Sequence, residues 1–273
     1  MFARVVTPRD VGQMASSGWS VRLRTTVRNC DGRNGGAVCG RVTLFSPPSR
    51  LARFLDATLA AGLDPQGHPS WNIGPQRQLF GLTITDGQRV LDGYQWGLIP
   101  SWATNPTIAN HCINARGETV AEKPSFREAF RTRPCVLPVD GFYEWAIQGR
   151  HRQPHYFTRR DGNPALFAGL YEYWRDPTLP SDAPLRQTCT VLTTEPSDDI
   201  DGVHDRMPVI LDPRDVLSWL RTDERGVDAR FDLIRSAPVG TLTHLAVNPA
   251  VGSVRNDGPE MIEPATTHTE RLF

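Results

Sequence analysis

The chain has 273 residues, of which 39% are hydrophobic and 22% are charged, and its formal net charge at pH 7 is zero. This length suits one globular domain with a sizeable core, and the balanced charge excludes a protein that coats nucleic acid through a global basic field. Because residues 1–37 hold six Arg and two Asp, the remainder has a net charge of −4, so a nucleic-acid-binding protein of this composition must concentrate its arginines in one groove.

Residues 1–37 are polar and Arg-rich, end in Gly-Gly, and show no sustained period of 2 or 3.6. One interpretation is a flexible basic arm that binds DNA phosphates. We prefer a second, in which the true start lies further along the chain. Val38 can be encoded by GTG, a codon with which bacteria also begin translation, and the protein then begins Met-Cys39. Removal of that methionine leaves Cys39 with a free α-amine.

The rest of the chain alternates short apolar runs with turn signals, which predicts one domain over 38–247 and a C-terminal tail over 248–273. The predicted strands span 39–45, 79–85, 89–97, 134–145, 154–159, 165–174, 188–194, 207–211 and 241–247. A predicted helix begins near Ser46, others cover 124–131, 213–221 and 227–235, and the predicted loops cover 61–78 and 100–119. The absence of a βαβ rhythm and of GxGxxG predicts an α+β fold, a single β-rich domain.

The cysteine pattern does not indicate a disulfide-bonded or a metal-binding protein. Their number is odd, their spacing is irregular and no CxxC pair occurs, so we expect neither a disulfide framework nor a metal or other cofactor. They are Cys30, Cys39, Cys112, Cys135 and Cys189. No apolar run approaches the ~18 residues of a membrane span, and residues 1–37 lack the apolar segment of a signal peptide. A reducing compartment is expected.

Polar residues are concentrated in a few short clusters, with the Trp96–Trp102 segment adding aromatic surface. These clusters are Cys39-Gly-Arg41, Asn72-Ile-Gly-Pro75, Ile113-Asn-Ala-Arg-Gly-Glu-Thr119, Asp140-Gly-Phe-Tyr-Glu-Trp145 and His204-Asp-Arg-Met-Pro208.

Together these clusters resemble the SOS response-associated peptidase (SRAP) family, from Cys39 to about residue 247. The order CGR, N-I-x-P, WGLIPSW, INARxET, PSFR, VDGFYEW and HDRMP is specific, although each motif alone is weak. The resemblance implies mixed, mostly antiparallel strands in a barrel-like core with short peripheral helices. It also implies a monomer of the bacterial cytoplasm, associated with the nucleoid on damage. Such a protein forms a thiazolidine with abasic sites in single-stranded DNA and shields the lesion during the DNA damage response.

The chemistry of Cys39 is consistent with this resemblance. An N-terminal α-amine has a pKa of ~7.7–8.0, so part of it is neutral at pH 7 and attacks an aldehyde to give an imine. The thiolate on the adjacent carbon then closes a five-membered ring. Any other Schiff base requires Lys123, the one lysine of the chain. The alternative for Cys39 is a small buried hydrophobe.

Two further residues are candidates for proton transfer. Glu144 lies in an apolar run, which should desolvate its carboxyl group, raise its pKa and suit it to shuttling protons. The alternative is an ion pair with an arginine. His204 is suited to protonating the departing sugar oxygen and to assisting reversal of the crosslink, or it is a turn histidine bound to Asp205.

Asn114 and Arg116 are two residues apart, so an extended segment directs both side chains to one face. Arg116 would fork onto a phosphate, while Asn114 would hold the sugar or the Cys39 amine. The alternative for Arg116 is a salt bridge with Glu118 or Glu144.

The resemblance implies further DNA contacts. Arg41, Thr193 and Arg206 would hold the DNA backbone, and Asn72 and Pro75 would line the mouth of the pocket. Trp102 would stack on an exposed base, worth ~1–3 kcal/mol, or else pack in the core.

Two other functions stay open. In a cysteine peptidase acting on proteins or on its own leader, Cys39, His204 and Glu144 would serve as nucleophile, base and orienting group. A non-covalent binder of single-stranded DNA would use the arginines and aromatic residues alone.

Overall fold

The structure is a computed structural model that describes residues 39–265. The predicted extension over 1–37 and the last residues of the predicted tail lie outside this range. Within it, no helix has both the length and the apolar character to cross a membrane. The strands are β1 (Val42–Leu44), β2 (Thr58–Leu59), β3 (Ser70–Ile73), β4 (Gln78–Thr85), β5 (Gln88–Trp96), β6 (Asn114–Arg116), β7 (Pro134–Val139), β8 (Gly141–Gln148), β9 (His151–Arg159), β10 (Ala165–Trp174), β11 (Arg186–Thr194), β12 (Met207–Pro208) and β13 (Leu242–Ala246). The α-helices are α1 (Pro48–Phe54), α2 (Arg127–Thr132), α3 (Val216–Leu220) and α4 (Glu224–Leu233).

The strands form two sheets. The smaller sheet has the order β13-β9-β8-β1-β3, and its neighbours are antiparallel. The larger has the order β12-β11-β10-β7-β4-β5-β2, and a parallel pairing of β11 with β5 closes five of these strands into a ring. The predicted α+β fold is therefore confirmed, with its barrel-like core of mostly antiparallel strands and its short helices.

Apolar residues fill the interior of the barrel. Every residue of β7 is buried, as expected for a strand covered on both faces. Buried tryptophans add bulk, and their indole N–H groups are satisfied: Trp96 donates to the carbonyl of Ile113 at 2.8 Å and Trp219 to that of Cys135 at 2.8 Å. The core thus holds large aromatic residues without leaving these donors unpaired.

The strand predicted over 134–145 is wrong in one respect, because it is two strands that belong to different sheets. The break falls at Asp140, whose carboxylate accepts hydrogen bonds from the backbone N–H groups of Phe45 and Ser46, each at 2.7 Å, and from the Ser46 hydroxyl. A Cβ atom on Gly141 would lie 2.5 Å from the Tyr156 ring. Apolar residues continue across this corner, so the sequence pattern hides it. The corner places Glu144 in the smaller sheet, beside β1.

Three segments predicted as loop or tail are folded. Strand β3 lies inside the predicted loop 61–78, and β6 lies inside 100–119. Both are too short to show a period of their own and depend on their neighbours for pairing. Residues 249–265, part of the predicted tail, form two 3-10 turns, and they bury Val251 and Met261. These turns lack the periodicity from which helices and strands are predicted.

Candidate active site

The centre of the candidate site joins Cys39 to Glu144. Cys39 precedes β1, Glu144 lies on β8, and the antiparallel pairing of these strands brings the two residues together. The backbone N–H of Cys39 donates to Glu144 Oε1 at 2.5 Å. Cys39 is fully buried and has a φ of 48°, a left-handed conformation that is uncommon for a residue with a side chain.

The environment of Glu144 favours its protonated form. Only 2% of the residue is exposed, and this burial raises its pKa to about 8, helped by the charge of Asp205 and opposed by the hydrogen bond from the Cys39 N–H. Among residues 39–265 no arginine lies within ion-pair distance of Glu144, so the alternative of an Arg–Glu pair does not hold there. A carboxyl group in this state can donate a proton at neutral pH.

His204 stands behind Glu144, with its Nε2 atom 3.9 Å from Glu144 Oε2. The backbone N–H of Arg206 donates to His204 Nδ1 at 3.1 Å, which assigns the proton of the neutral ring to Nε2. Burial lowers the pKa of His204, although the charge of Asp205, 3.1 Å from Nδ1, opposes this. His204 therefore lies beside Glu144, and its contact with Asp205 is an ion pair when the ring is protonated, not a hydrogen bond of the neutral ring. The described part of the chain contains no group of three His, Cys, Asp or Glu side chains arranged to hold a metal ion.

The Cys39 thiol is not activated as an anion. Burial, and then the charge of Glu144, raise its pKa well above the ordinary range. Cysteine nucleophiles of peptidases have a lowered thiol pKa, usually because a protonated histidine lies beside them. In this structure the histidine faces Glu144 instead.

Arg41 and Asn72 lie beside the centre in a partly buried hydrogen-bond network. Arg41 Nη1 donates to Asn72 Oδ1 and to the carbonyl of Val251, both at 2.7 Å, and its guanidinium carbon lies 5.9 Å from the ring centre of Trp145. Asn72 Nδ2 donates to three carbonyls within 251–256 at 2.6–3.1 Å. We call residues 249–257 the C-terminal bracket. These polar groups are thus engaged internally, and DNA contacts by Arg41 and Asn72 stay predictions.

The other two residues predicted at the mouth are closer to solvent. Pro75 is half-buried in the turn between β3 and β4. Trp102 is 59% exposed, which excludes the alternative of core packing. Its indole is an aromatic face available to a ligand.

A second cluster lies where β6 runs parallel to β11, with Arg116 opposite Thr193. Arg206 forks onto the Glu118 carboxylate at 3.0 and 2.9 Å and donates to the Thr193 carbonyl at 2.7 Å. Burial raises the pKa of Glu118, but the hydrogen bonds and charge of Arg206 and the charge of Arg116 outweigh it, so the pKa is lowered. The salt bridge considered for Arg116 is therefore made by Arg206, and Arg116 is exposed.

Asn114 lies on the same strand, opposite Val191. It is half-buried, and the intervening Ala115 is buried, so Asn114 and Arg116 share one face as predicted for an extended segment. The catalytic role of Asn114 stays a prediction.

Sequence reasoning missed the C-terminal bracket and the position of Trp145 against Arg41. The bracket supplies the carbonyls that hold Arg41 and Asn72. Its sequence signal is weak, since Val251 and Val254 are isolated apolar residues in a stretch rich in polar residues and Gly. No pattern of neighbouring residues predicts a contact between positions so far apart in the chain.

The model of the family described as SOS response associated peptidase (SRAP) matches residues 38–254. The chain is 36% identical over 232 residues to the abasic site processing protein YoqW of Bacillus subtilis, covering 83% of this chain and 99% of that protein. It is 31% identical to the abasic site processing protein HMCES of Gallus gallus, covering 83% and 78% of the two chains. It is 29% identical to the abasic site processing protein YedK of Escherichia coli, covering 74% and 87%.

Solved structures share the fold. A crystal structure of a Bacteroides thetaiotaomicron protein superposes with a TM-score of 0.71 at 22% identity, covering 83% of this chain and 100% of that one. A Bordetella bronchiseptica protein gives a TM-score of 0.63 at 25% identity, covering 77% and 100%.

Proposed function

Since the chain belongs to the SOS response-associated peptidase family, we propose that it processes abasic sites by binding them covalently in single-stranded DNA. The bond is a thiazolidine formed by Cys39 as the first residue of the working chain, and it shields the lesion during the DNA damage response. Relatives named abasic site processing proteins support the substrate. The observation that carries the mechanism is the Cys39 nitrogen, held 2.5 Å from a buried carboxyl group.

The reaction begins when the neutral α-amine of Cys39 attacks the aldehyde carbon of the ring-opened sugar and forms a carbinolamine. Protonated Glu144 donates its proton to the hydroxyl group, which leaves as water, and the resulting carboxylate takes the N–H proton of the iminium to give a neutral imine. The Cys39 sulfur then adds to the imine carbon, and the thiol proton passes through Glu144 to the nitrogen. One C–N bond and one C–S bond form, and one water is lost.

The environment of Glu144 suits both steps. With a pKa of about 8, the carboxyl group is mostly protonated at pH 7 and can return to that state after each transfer. His204, with Nε2 3.9 Å from Glu144 Oε2, is placed to exchange a proton with it. We assign to His204 the protonation of the sugar oxygen during ring opening, and a part in reversal of the crosslink.

The DNA strand is held by groups around this centre. Trp102 stacks on a base, and Arg116 binds a phosphate. The exposure of both side chains supports these roles. Asn114 positions the sugar or the amine. Arg41, Asn72, Pro75, Thr193 and Arg206 shape the mouth, and Arg206 reaches a phosphate only by leaving Glu118.

Peptidase activity has weaker support. The raised pKa of the Cys39 thiol and the orientation of His204 toward Glu144 oppose a thiolate nucleophile. The covalent reaction requires a chain that begins at Cys39, because an internal cysteine has no free amine. Such a chain arises by processing, or by a translation start at codon 38 followed by loss of the methionine.

The test compares the full chain with a form that begins at Cys39, each verified by mass spectrometry of its N-terminus. Both are incubated with a single-stranded oligonucleotide that contains one abasic site, and adducts are resolved on a denaturing gel. We expect an adduct from the Cys39 form, with the mass of protein plus DNA less one water, and none from a chain that keeps residues 1–38. An adduct from the uncleaved chain contradicts the mechanism, and cleavage of casein without an adduct favours a peptidase.

A further inference from the structure

A groove without ionisable side chains lies on the outer face of the barrel, where β4, β5 and β11 meet. Its volume is about 390 Å³, and its lining consists of Gln76, Gln78, Gly93, Gln95, Leu185 and Gln187. We call it the glutamine groove. Four primary amides in one uncharged surface contrast with the arginines and carboxylates around Glu144.

The amides are held in place by the sheet. Gln78 lies opposite Gln95 in the β4–β5 pairing, and its side chain crosses Gly93, where a Cβ atom would lie only 1.7 Å from Gln78 Nε2. Gln95 Nε2 donates to Gln76 Oε1 at 2.6 Å. Gln187 Nε2 donates to Asp92 at 3.1 Å. Within residues 39–265 the Gln78 amide has no hydrogen-bond partner, so it is available to a ligand.

The groove begins at the mouth of the candidate active site. Gln76 directly follows Pro75, and a Cβ atom on Gly74 would lie 3.6 Å from Arg41 Nε. On its other side Gln76 lies against the segment that carries Trp102, since a Cβ atom on Gly97 would lie 2.7 Å from Gln76 Nε2 and 2.8 Å from the carbonyl of Ala109. A strand that leaves the centre past Pro75 therefore meets Gln76, at the edge of the groove.

The chemistry of the groove fits bases better than phosphates. A phosphate is bound by Arg, Lys or backbone N–H groups, and no cationic side chain lines the groove. A primary amide has two donors and an acceptor, and the exposed Watson–Crick edge of every unpaired base also offers both. Amides can therefore bind any base without selecting one.

We propose that the glutamine groove binds the unpaired bases next to the lesion, and thereby distinguishes an abasic site within a base-bearing single strand from an isolated sugar aldehyde. This inference rests on the proposed function and adds a binding site for the flanking nucleotides. The groove contributes to affinity through bases, independently of phosphate charge.

The test uses oligonucleotides that cannot crosslink. One carries a central tetrahydrofuran, an abasic analogue without an aldehyde, between ordinary nucleotides. In the other the flanking nucleotides on both sides are replaced by tetrahydrofuran as well. Fluorescence anisotropy at several salt concentrations gives Kd for the Cys39 form, for Q78A/Q95A and for Gln88→Ala. Gln88 is an exposed glutamine at the far end of β5 and is the matched control.

We expect the groove to strengthen binding of the base-bearing oligonucleotide by the wild type and by Gln88→Ala about tenfold, as two neutral hydrogen bonds predict, in addition to the stacking that Trp102 supplies. Q78A/Q95A should lose this tenfold part of the preference while the slope of log Kd against log salt stays unchanged. An undiminished preference in the double variant overturns the inference. So does an equal loss for both oligonucleotides with a flatter salt slope, since that assigns the groove to phosphates.

The adduct experiment and the binding experiment together distinguish a failure of the proposed function from a failure of the groove inference. If the Cys39 form makes no adduct with abasic DNA, the proposed function fails and the groove inference fails with it. If the adduct forms and Q78A/Q95A prefers bases as strongly as the wild type does, only the groove inference fails. A urea unfolding curve for Q78A/Q95A that matches the wild type shows that a lost preference is not a loss of folding.

Discussion

The Cys39–Glu144 centre and the C-terminal bracket lie side by side, but they treat buried polar groups in opposite ways. At the bracket, Asn72 of β3 accepts a hydrogen bond from Arg41 and donates to three carbonyls of the bracket. In the centre, Glu144 is equally buried, yet among the described residues it accepts one hydrogen bond, from the Cys39 nitrogen, and its pKa rises to about 8.

This difference distinguishes residues that hold the structure together from residues that take part in the reaction. A buried group whose hydrogen bonds are all satisfied stabilises one structure, whereas a buried carboxyl without compensating donors keeps a proton that it can give away. The bracket therefore holds Arg41 beside a centre in which the carboxyl group of Glu144 lacks compensating hydrogen-bond donors. Substitutions in the centre should therefore change mainly the activity, and substitutions at the bracket should change mainly the stability.

The largest effect is expected at the centre itself. Cys39→Ala removes the sulfur that closes the ring, so we expect no stable adduct with abasic DNA on a denaturing gel. Cys112→Ala is the matched control, because Cys112 is also buried and has no part in the proposed reaction. A stable adduct from Cys39→Ala would contradict the thiazolidine.

Glu144→Gln should slow adduct formation by about 10²–10⁴-fold, the usual effect of losing a positioned proton donor. A carboxyl group with a raised pKa also opposes folding as it ionises. Between its ordinary value of 4.5 and about 8, folded Glu144 holds a proton that the unfolded chain has lost, so stability falls as pH rises through this window.

The variant should therefore lose activity and gain stability at alkaline pH. Glu144→Gln is expected to raise the free energy of unfolding at pH 9 by on the order of 5 kcal/mol, with no gain at pH 4. Urea unfolding at the two pH values measures this. An equal change at both would mean that the Glu144 carboxyl is not held protonated by the fold.

Asn72→Ala should have the reverse profile. Loss of the carboxamide removes one of the two acceptors of Arg41 Nη1 and the side-chain donor that three carbonyls share, which should lower the free energy of unfolding by about 3 kcal/mol. Asn105→Ala is the control, since that amide accepts one hydrogen bond, from the Thr107 N–H, at an exposed turn and should cost about 1 kcal/mol. If Asn72→Ala abolishes the adduct without affecting stability, the residue belongs to the chemistry and the comparison is wrong.

The smallest effect is expected at the exposed rim. Arg116→Ala should weaken binding to single-stranded DNA several-fold and reduce the salt slope by about one. Arg214→Ala, an exposed arginine paired with Asp212, is the control and should leave the slope unchanged. An unchanged slope in Arg116→Ala would remove this residue from the phosphate contacts.

Much of the fold follows from local pattern. The ten residues of β10 are mostly apolar, and turn signals such as Asp86-Gly87 separate β4 from β5. Short elements do not carry such a pattern. Strand β3 exists because β1 offers it a partner, and the bracket is ordered because Arg41 and Asn72 bind its carbonyls.

The sequence by itself determined the β-rich class of the fold, the membership of the polar clusters in one family pattern, and the expectation that Glu144, within an apolar run, has a raised pKa. These properties depend on residues close together in the chain. Only the tertiary structure decided that the Cys39 nitrogen contacts Glu144, that Arg206 rather than Arg116 pairs with Glu118, and that a segment expected to be a tail holds Arg41. Such contacts join residues up to 210 positions apart, and their partners are selected by the packing of the two sheets.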